Sequence, residues 1–421
     1  MQKPRVRWAA WLVPGTAALA LGLMAPPLAG AQARVPVGAQ FQVNTYTTSS
    51  QAHPSVTADA DGDFVVVWMS NGSSGTDTTG FSIQGQRYAS NRSTQGAQFQ
   101  VNTYTTSYQY SGSVAADADG DFVVVWFSNG SSGSDTDTWS VLGQRYASNG
   151  STQGAEFQVN SYTTGRQIYP SVAADADGDF VVAWFSYGSS GTDTSASSIQ
   201  GQRYASDGST QGAQFQVNTY TTSYQKSPSV AVHADGGFVV AWVSEGSYGT
   251  DTSWQSTQGQ RYAPDGSTQG AQFQVNTYTT HYQGRPSVAV DADGDFVVVW
   301  NTYGTFGTGT NYYGNIRGQQ YASDGSTQGA QFQVNVYLTN YQGRPSVAAN
   351  ADGDFVVVWQ SRGSFGTDTD YSIQGRRGGL APPVSATSRA TRFALGAALL
   401  LLGAAVARAY GSVSRRSRFS R

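Results

Sequence analysis

Two kinds of residue in this 421-residue chain have the type and spacing to do chemistry, and both recur. The first is aspartate, which makes up all but two (Glu156 and Glu245) of the 27 acidic residues. Asp59-Ala60-Asp61-Gly62-Asp63 returns as Asp117 to Asp121, Asp175 to Asp179 and Asp291 to Asp295. Alternating carboxylates around a glycine turn can gather oxygen ligands for Ca²⁺. The candidate ligands are Asp59, Asp61, Asp63, Asp117, Asp119, Asp121, Asp175, Asp177, Asp179, Asp291, Asp293 and Asp295. The competing reading is a plain hairpin turn, for which Asp and Gly supply the geometry alone. Copy four breaks the pattern at His233 and Gly237, and copy six starts with Asn350.

The second kind is the Tyr, Thr, Asn and Asp of longer loops such as Asn102 to Gln109 and Asn129 to Thr136. Tyrosine offers a flat apolar face with a polar tip, and Asp and Asn offer partners for sugar hydroxyls. Tyr104, Tyr108, Asp135, Tyr220, Tyr224, Asp251, Tyr278 and Tyr282 are candidates for a glycan-binding face. A solvated loop ring with no ligand is the alternative. Catalysis has little support at this level. The three histidines (His53, His233, His281) sit in different repeats with no nucleophile or metal-ligand spacing around them. Copies differ mainly in these loops, for example at Trp254, His281 and Tyr312-Tyr313.

The elements that must position these residues are set by a long repeat. Gln-Phe-Gln-Val-Asn places a phenylalanine at Phe41, Phe99, Phe157, Phe215, Phe273 and Phe332, with steps of 58, 58, 58, 58 and 59 residues. Copy two shows the pattern of one unit. Ser113 to Ala116 is a short extended run, and Asp117 to Asp121 is a turn. Phe122 to Trp126 is apolar on both faces, as in a fully buried strand. Val141 to Tyr146 and then Phe157 to Val159 follow as a third and a half-exposed fourth strand. Four antiparallel strands per repeat predict a blade, and six predict a six-bladed β-propeller. The chain enters with a fourth-type strand at Phe41 and leaves after a third-type strand at Ser372 to Gly375. Residues 38–44 are therefore expected to pair with the last blade and close the ring, which hides sheet edges. An open solenoid or a string of small β-domains is the alternative, though no distinct capping repeat is visible.

The repeat resembles a family of bacterial exported and surface proteins. The motifs that carry the likeness are Phe273 to Thr277, Pro286 to Ala289, Asp293 to Trp300 and Gln202-Arg203-Tyr204, within residues 38–377. The resemblance implies a surface location and no assigned activity. The acidic turn also resembles the short Asp-rich calcium loops of integrin-type propellers, but it is shorter and lacks a distal bidentate acid.

The ends agree with export. Lys3, Arg5 and Arg7 precede an apolar stretch from Trp8 to about Met24, and Ala29-Gly30-Ala31 and Ala31-Gln32-Ala33 offer small-x-small cleavage patterns. Residues 1–33 read as a signal helix for the Sec route. After residues 34–379 come a Pro/Ser linker (380–392), an apolar helix (393–413) and an arginine-rich tail (414–421). The helix is expected to anchor the chain in a membrane, with the arginines inside. This tail resembles the exosortase-type sorting signals of Gram-negative exported proteins, without a Pro-Glu-Pro signature.

Composition narrows the partners. Residues 34–380 hold 27 acidic and 14 basic residues, a net charge of −13, which argues against nucleic acid. Cysteine is absent, so no disulfide or thiolate chemistry operates. The sequence alone favours an all-β, six-bladed, membrane-anchored monomer at the cell envelope. Its expected role is non-enzymatic binding or adhesion, with glycans or another surface protein as partner and Ca²⁺ as the one candidate ion. A purely structural surface protein and a glycosidase- or sialidase-like enzyme are the alternatives.

Overall fold

The computed structural model describes residues 41–379, apart from short loop segments, of which residues 304–313 and 363–370 are the longest. The signal segment, the linker and the anchoring helix lie outside the described residues. Among the described residues no helix is long and apolar enough to cross a membrane. Contacts divide the chain at Gln42/Val43, and the account below concerns the unit from Val43 onward.

That unit is a six-bladed all-β propeller. Blade 1 holds β1 (Gln51–Ala58), β2 (Phe64–Asn71), β3 (Phe81–Tyr88) and β4 (Thr94–Gln100). Blade 2 holds β5 (Gln109–Ala116), β6 (Phe122–Asn129), β7 (Trp139–Tyr146) and β8 (Thr152–Gln158). Blade 3 holds β9 (Gln167–Ala174), β10 (Phe180–Tyr187), β11 (Ser197–Tyr204) and a short β12 (Phe215–Gln216). Blade 4 holds β13 (Gln225–Val232), β14 (Phe238–Glu245), β15 (Gln255–Tyr262) and β16 (Phe273–Gln274). Blade 5 holds β17 (Gln283–Val290), β18 (Phe296–Thr302), β19 (Asn315–Tyr321) and β20 (Thr327–Gln333). Blade 6 holds only β21 (Gln342–Ala349), β22 (Asp354–Arg362) and β23 (Tyr371–Gly379). Strands pair antiparallel in chain order within each blade.

The second strands β2, β6, β10, β14 and β18 are buried on both faces, whereas β22 of blade 6 is buried on one face, with Val356 and Val358 exposed on the other. Val65, Val67 and Ile83 of blade 1 meet Val124, Trp126 and Tyr146 of blade 2 in one core, and the same set recurs between each following pair. The tryptophans are held in register. Trp126 Nε1 donates to Gln109 Oε1 at 3.1 Å, and the equivalent bond forms in every blade. At the axis, the serine of each Ser-Val-Ala run reaches the next blade. Ser55 Oγ accepts from Val114 N, and the pattern continues to Ser287 and Val347. Those contacts explain the small residues of the first strands.

The first strands start about four residues earlier than their apolar runs suggest, because a bulge interrupts each one. In β5 the register shifts between Tyr110 and Ser113. Ser111 sits at φ 50° there, and His53, Tyr169, Ser227, Arg285 and Arg344 take the same left-handed conformation in the other blades. A bulge inserts an extra residue and re-aims its side chain.

The expected closing strand is not formed in this structure. Residues 38–40 lie outside the described set, Phe41 to Asn44 carry no strand, and β23 is paired with β22 alone. The end faces of the array are correspondingly open. Val56 is 64% exposed where its equivalents from Val114 to Val347 are at most 8%, and Ile373 is 73% exposed where Ile83 is buried.

Candidate functional site

The acidic turns are accounted for by their own hydrogen bonds. Asp59 Oδ1 accepts from Asp61 N at 3.0 Å and Asp63 N at 2.9 Å. Asp63 then accepts from Ser90 N and Gln95 Nε2. Asp117 and Asp121, Asp175 and Asp179, and Asp291 and Asp295 repeat both halves of this arrangement. In blade 6 Asn350 Oδ1 takes the same two backbone donors, from Asp352 and Asp354. An amide oxygen that serves as well as a carboxylate shows that the turn needs an acceptor, not a charge. Asp61, Asp119, Asp177 and Asp293 are the exposed middle residues. Among the described residues no group of three His, Cys, Asp or Glu side chains is placed to hold a metal ion.

The loop candidates divide into two groups. Asp135 and Asp251 are buried, where they accept from Asn160 Nδ2 at 2.7 Å and Asn276 Nδ2 at 2.8 Å. They brace the loops and are not available to a ligand. Tyr104 and Tyr220 lie over the positive-φ glycines Gly130 and Gly246, where even a Cβ would collide with the phenol. Tyr278 is half-buried, while Tyr108, Tyr224 and Tyr282 are exposed at the mouth of the propeller.

Tyr282 belongs to a cavity of about 710 Å³ between blades 4 and 5, which Trp254, His281, Arg285, Asn301 and Tyr303 also line. Three departures from the repeat create it. Gly284 stands where blades 2, 3 and 4 carry Tyr110, Ile168 and Lys226. A Cβ at Gly284 would meet nothing closer than 3.7 Å, so the missing side chain leaves open space. Asn301 stands where blades 1 to 4 carry Met69, Phe127, Phe185 and Val243, and blade 6 carries Gln360. It is 3% exposed, and its Oδ1 has no hydrogen-bond partner among the described residues. Burying an unpaired amide oxygen in an apolar position costs free energy, which a ligand donor would recover. Trp254 is 70% exposed and presents an indole face beside the opening.

The electrostatics of the cavity are uneven. Lys226 Nζ lies 2.7 Å from Glu245 Oε1. Burial works to raise the Glu245 carboxyl, but the Lys226 ammonium, Gln255 and Ser223 outweigh it and hold the group below its usual range. Glu245 is therefore ionised at neutral pH. Tyr303 packs edge-on against Tyr282 at 5.7 Å, and burial, helped by Tyr341, pushes its phenol up to about 12. It remains a hydrogen-bond donor. His281, Trp254 and Tyr282 were visible as loop departures in the sequence. Lys226, Gly284, Arg285, Asn301 and Tyr303 were not, because they sit inside strands or at strand ends whose motif looks intact.

No family model matches the chain, and no curated protein matches it. Solved structures do share its fold. A protein of unknown function from Dyadobacter fermentans matches with TM-score 0.50 and 10% identity over 78% of this chain and 94% of that one. The α-L-arabinanase of Penicillium chrysogenum matches with TM-score 0.48 and 13% identity, over 79% and 94% of the two chains. The NanB sialidase of Streptococcus pneumoniae matches with TM-score 0.49 and 8% identity, over 80% and 70%. At these identities the likeness is one of fold. The expectation of a non-enzymatic chain runs against these neighbours, of which those with an assigned activity are an arabinanase and a sialidase; that activity is theirs, and what this chain shares with them is the fold.

Proposed function

We propose that the chain is a glycan-processing enzyme of glycoside-hydrolase type, acting at the cell envelope. The observation that supports this is the cavity of blades 4 and 5, where aromatic faces, a phenolic donor and a buried unpaired amide oxygen line the wall, and where the lining residues Lys226 and Gln255 both bond the ionised Glu245 behind them. Aromatic walls with a few convergent polar groups suit a sugar ring. Glycosidases stabilise a cationic transition state with carboxylates, or in some families with a tyrosine nucleophile. Glu245, kept charged by Lys226, fits the stabilising or basic role, and Tyr303 supplies an O–H in the cavity wall. The test is release of reducing sugar by the full chain from a panel of plant and bacterial polysaccharides. Release is expected from at least one, with Glu245→Gln slowing turnover about 100-fold or more at an unchanged melting temperature. No release from any glycan would refute the reading.

We also propose export through the Sec route, with residues 1–33 as signal and 393–413 as membrane anchor. Residues 38–44 are proposed to complete blade 6. In five blades the fourth-strand phenylalanine lies on the third-strand glycine, as Phe157 on Gly143, whereas the space over Gly375 is open. Val43 O accepts from Tyr88 Oη, as Val101 O does from Tyr146 Oη, so this residue already takes the place of a fourth-strand end against blade 1.

A further inference from the structure

We infer that the propeller mouth recognises a carboxylate carried by its glycan, held by Arg285 and Arg344. This rests on the glycan reading and names the class of substrate: acidic sugars such as uronates.

The argument begins with the bulges. Six first strands each place one residue in the left-handed conformation at an equivalent position, and none of the six is glycine. Such a conformation costs a β-carbon-bearing residue free energy, so six repetitions mark a position whose side-chain direction matters. First strands of neighbouring blades contact one another, which brings these positions around the axis. Four of the six are Ser111, Tyr169, Ser227 and His53, and the remaining two are arginines on the consecutive blades 5 and 6.

Arg285 and Arg344 both act on His53. Burial lowers the pKa of His53, and the two guanidiniums lower it further. The strands that carry the two arginines, β17 and β21, pack against each other, which sets the two side chains at equivalent places on adjacent blades. Among the described residues neither arginine has a carboxylate partner; the two ion pairs are Lys226 with Glu245 and His233 with Asp235. Both arginines are exposed, and Arg285 lines the cavity that also holds the unpaired Asn301 Oδ1. The surroundings sharpen the contrast. The unit is acidic as a whole, but its turn aspartates lie at the opposite ends of the strands, and the mouth-loop aspartates among the described residues (Asp77, Asp135, Asp193, Asp251) are buried. A guanidinium pair that has no counter-ion among the described residues matches a carboxylate in charge and in bidentate geometry. The adjoining aromatic cavity takes the sugar that bears it.

The test is calorimetric titration of the full chain with trigalacturonate, a neutral galactose trimer and acetate. Trigalacturonate is expected to bind at least tenfold more tightly than the neutral trimer and far more tightly than acetate, with the preference lost in Arg285→Gln and Arg344→Gln. Equal binding of the acidic and neutral trimers would overturn the inference and leave the glycosidase reading standing, as would acetate binding as tightly as trigalacturonate, which marks a free-anion site. A second readout needs no ligand. The NMR titration of His53 should move to higher pH in the double arginine variant, and an unchanged titration would show that the three groups do not converge.

Discussion

Exchange of one glycine per blade measures whether the ring is closed by the N-terminal segment. Gly85, Gly143, Gly201 and Gly259 have the fourth-strand phenylalanine so close that a new Cβ would lie 2.5 Å from the ring Cζ. The ring cannot swing away, because Phe157 is held against Tyr204 at 5.5 Å, and Phe99 against Tyr146 at 5.5 Å and Phe122 at 6.5 Å. None of these glycines has a positive φ, so alanine meets no backbone objection. The cost of Gly143→Ala is therefore one of overpacking, about 1–3 kcal/mol. Gly375 is different. A Cβ there would meet Val358 Cγ1 at 3.6 Å and Val357 O at 3.7 Å, which is ordinary contact. With no strand above it, Gly375→Ala should be neutral or stabilise by about 0.4–1 kcal/mol through the unfolded chain. If Phe41 occupies the seat, the same change should cost as much as Gly143→Ala, and Phe41→Ala should abolish that cost. The assay is urea unfolding of the full chain, read as a midpoint shift at constant slope, with the Phe41/Gly375 pair run as a double-mutant cycle. Gly375→Ala without cost would refute closure by residues 38–44. Gly143→Ala without cost would refute the packing argument itself.

Further predictions concern the blade cores, the turns and acid stability. Gln167→Leu leaves the buried Trp184 indole N–H without its acceptor and should destabilise by about 1–3 kcal/mol, measured as a lower urea midpoint. Chelator should leave the melting temperature unchanged, because the turn carboxylates already accept backbone and Gln donors; a fall would show a bound ion. Asp207, Asp265 and Asp324 are held below the ordinary carboxylate value by the serine two residues on. Their folded pKa is depressed, so their contribution is complete above the unfolded value near 3.8 and fades as pH falls below it. Asp117, Asp175 and Asp291 are raised by burial and act in the opposite direction. Asp207→Asn should therefore flatten the acid limb of the stability curve, and Asp117→Asn should not.

The blade architecture was legible because its determinants are local and repeated. The apolar run Phe122 to Trp126 and the Asp-Gly turn before it fix one strand and its hairpin, and six copies do the same. The bulges were not legible, since nothing in Gln-Tyr-Ser-Gly-Ser or Gln-Gly-Arg-Pro-Ser announces a left-handed residue at its third position. The loop candidates separate into two groups by packing that the sequence does not display. Tyr282 lines the cavity, but Asp135 and Asp251 point inward to hold Asn160 and Asn276, a role that depends on a partner 25 residues away. The cavity itself depends on what is missing, the side chain at Gly284, and on a polar Asn301 in an otherwise apolar strand. Both can be seen only when the copies are aligned strand by strand and the packing is known.

The most direct measurement compares the full chain with its Gly284→Ile variant in the polysaccharide hydrolysis assay. Ile168 occupies the same position in blade 3, so the variant should fold and melt like the parent while its new side chain fills the cavity. The account predicts that sugar release seen with the parent falls at least tenfold in Gly284→Ile. Equal release by the two proteins would contradict it, and so would the absence of release by the parent.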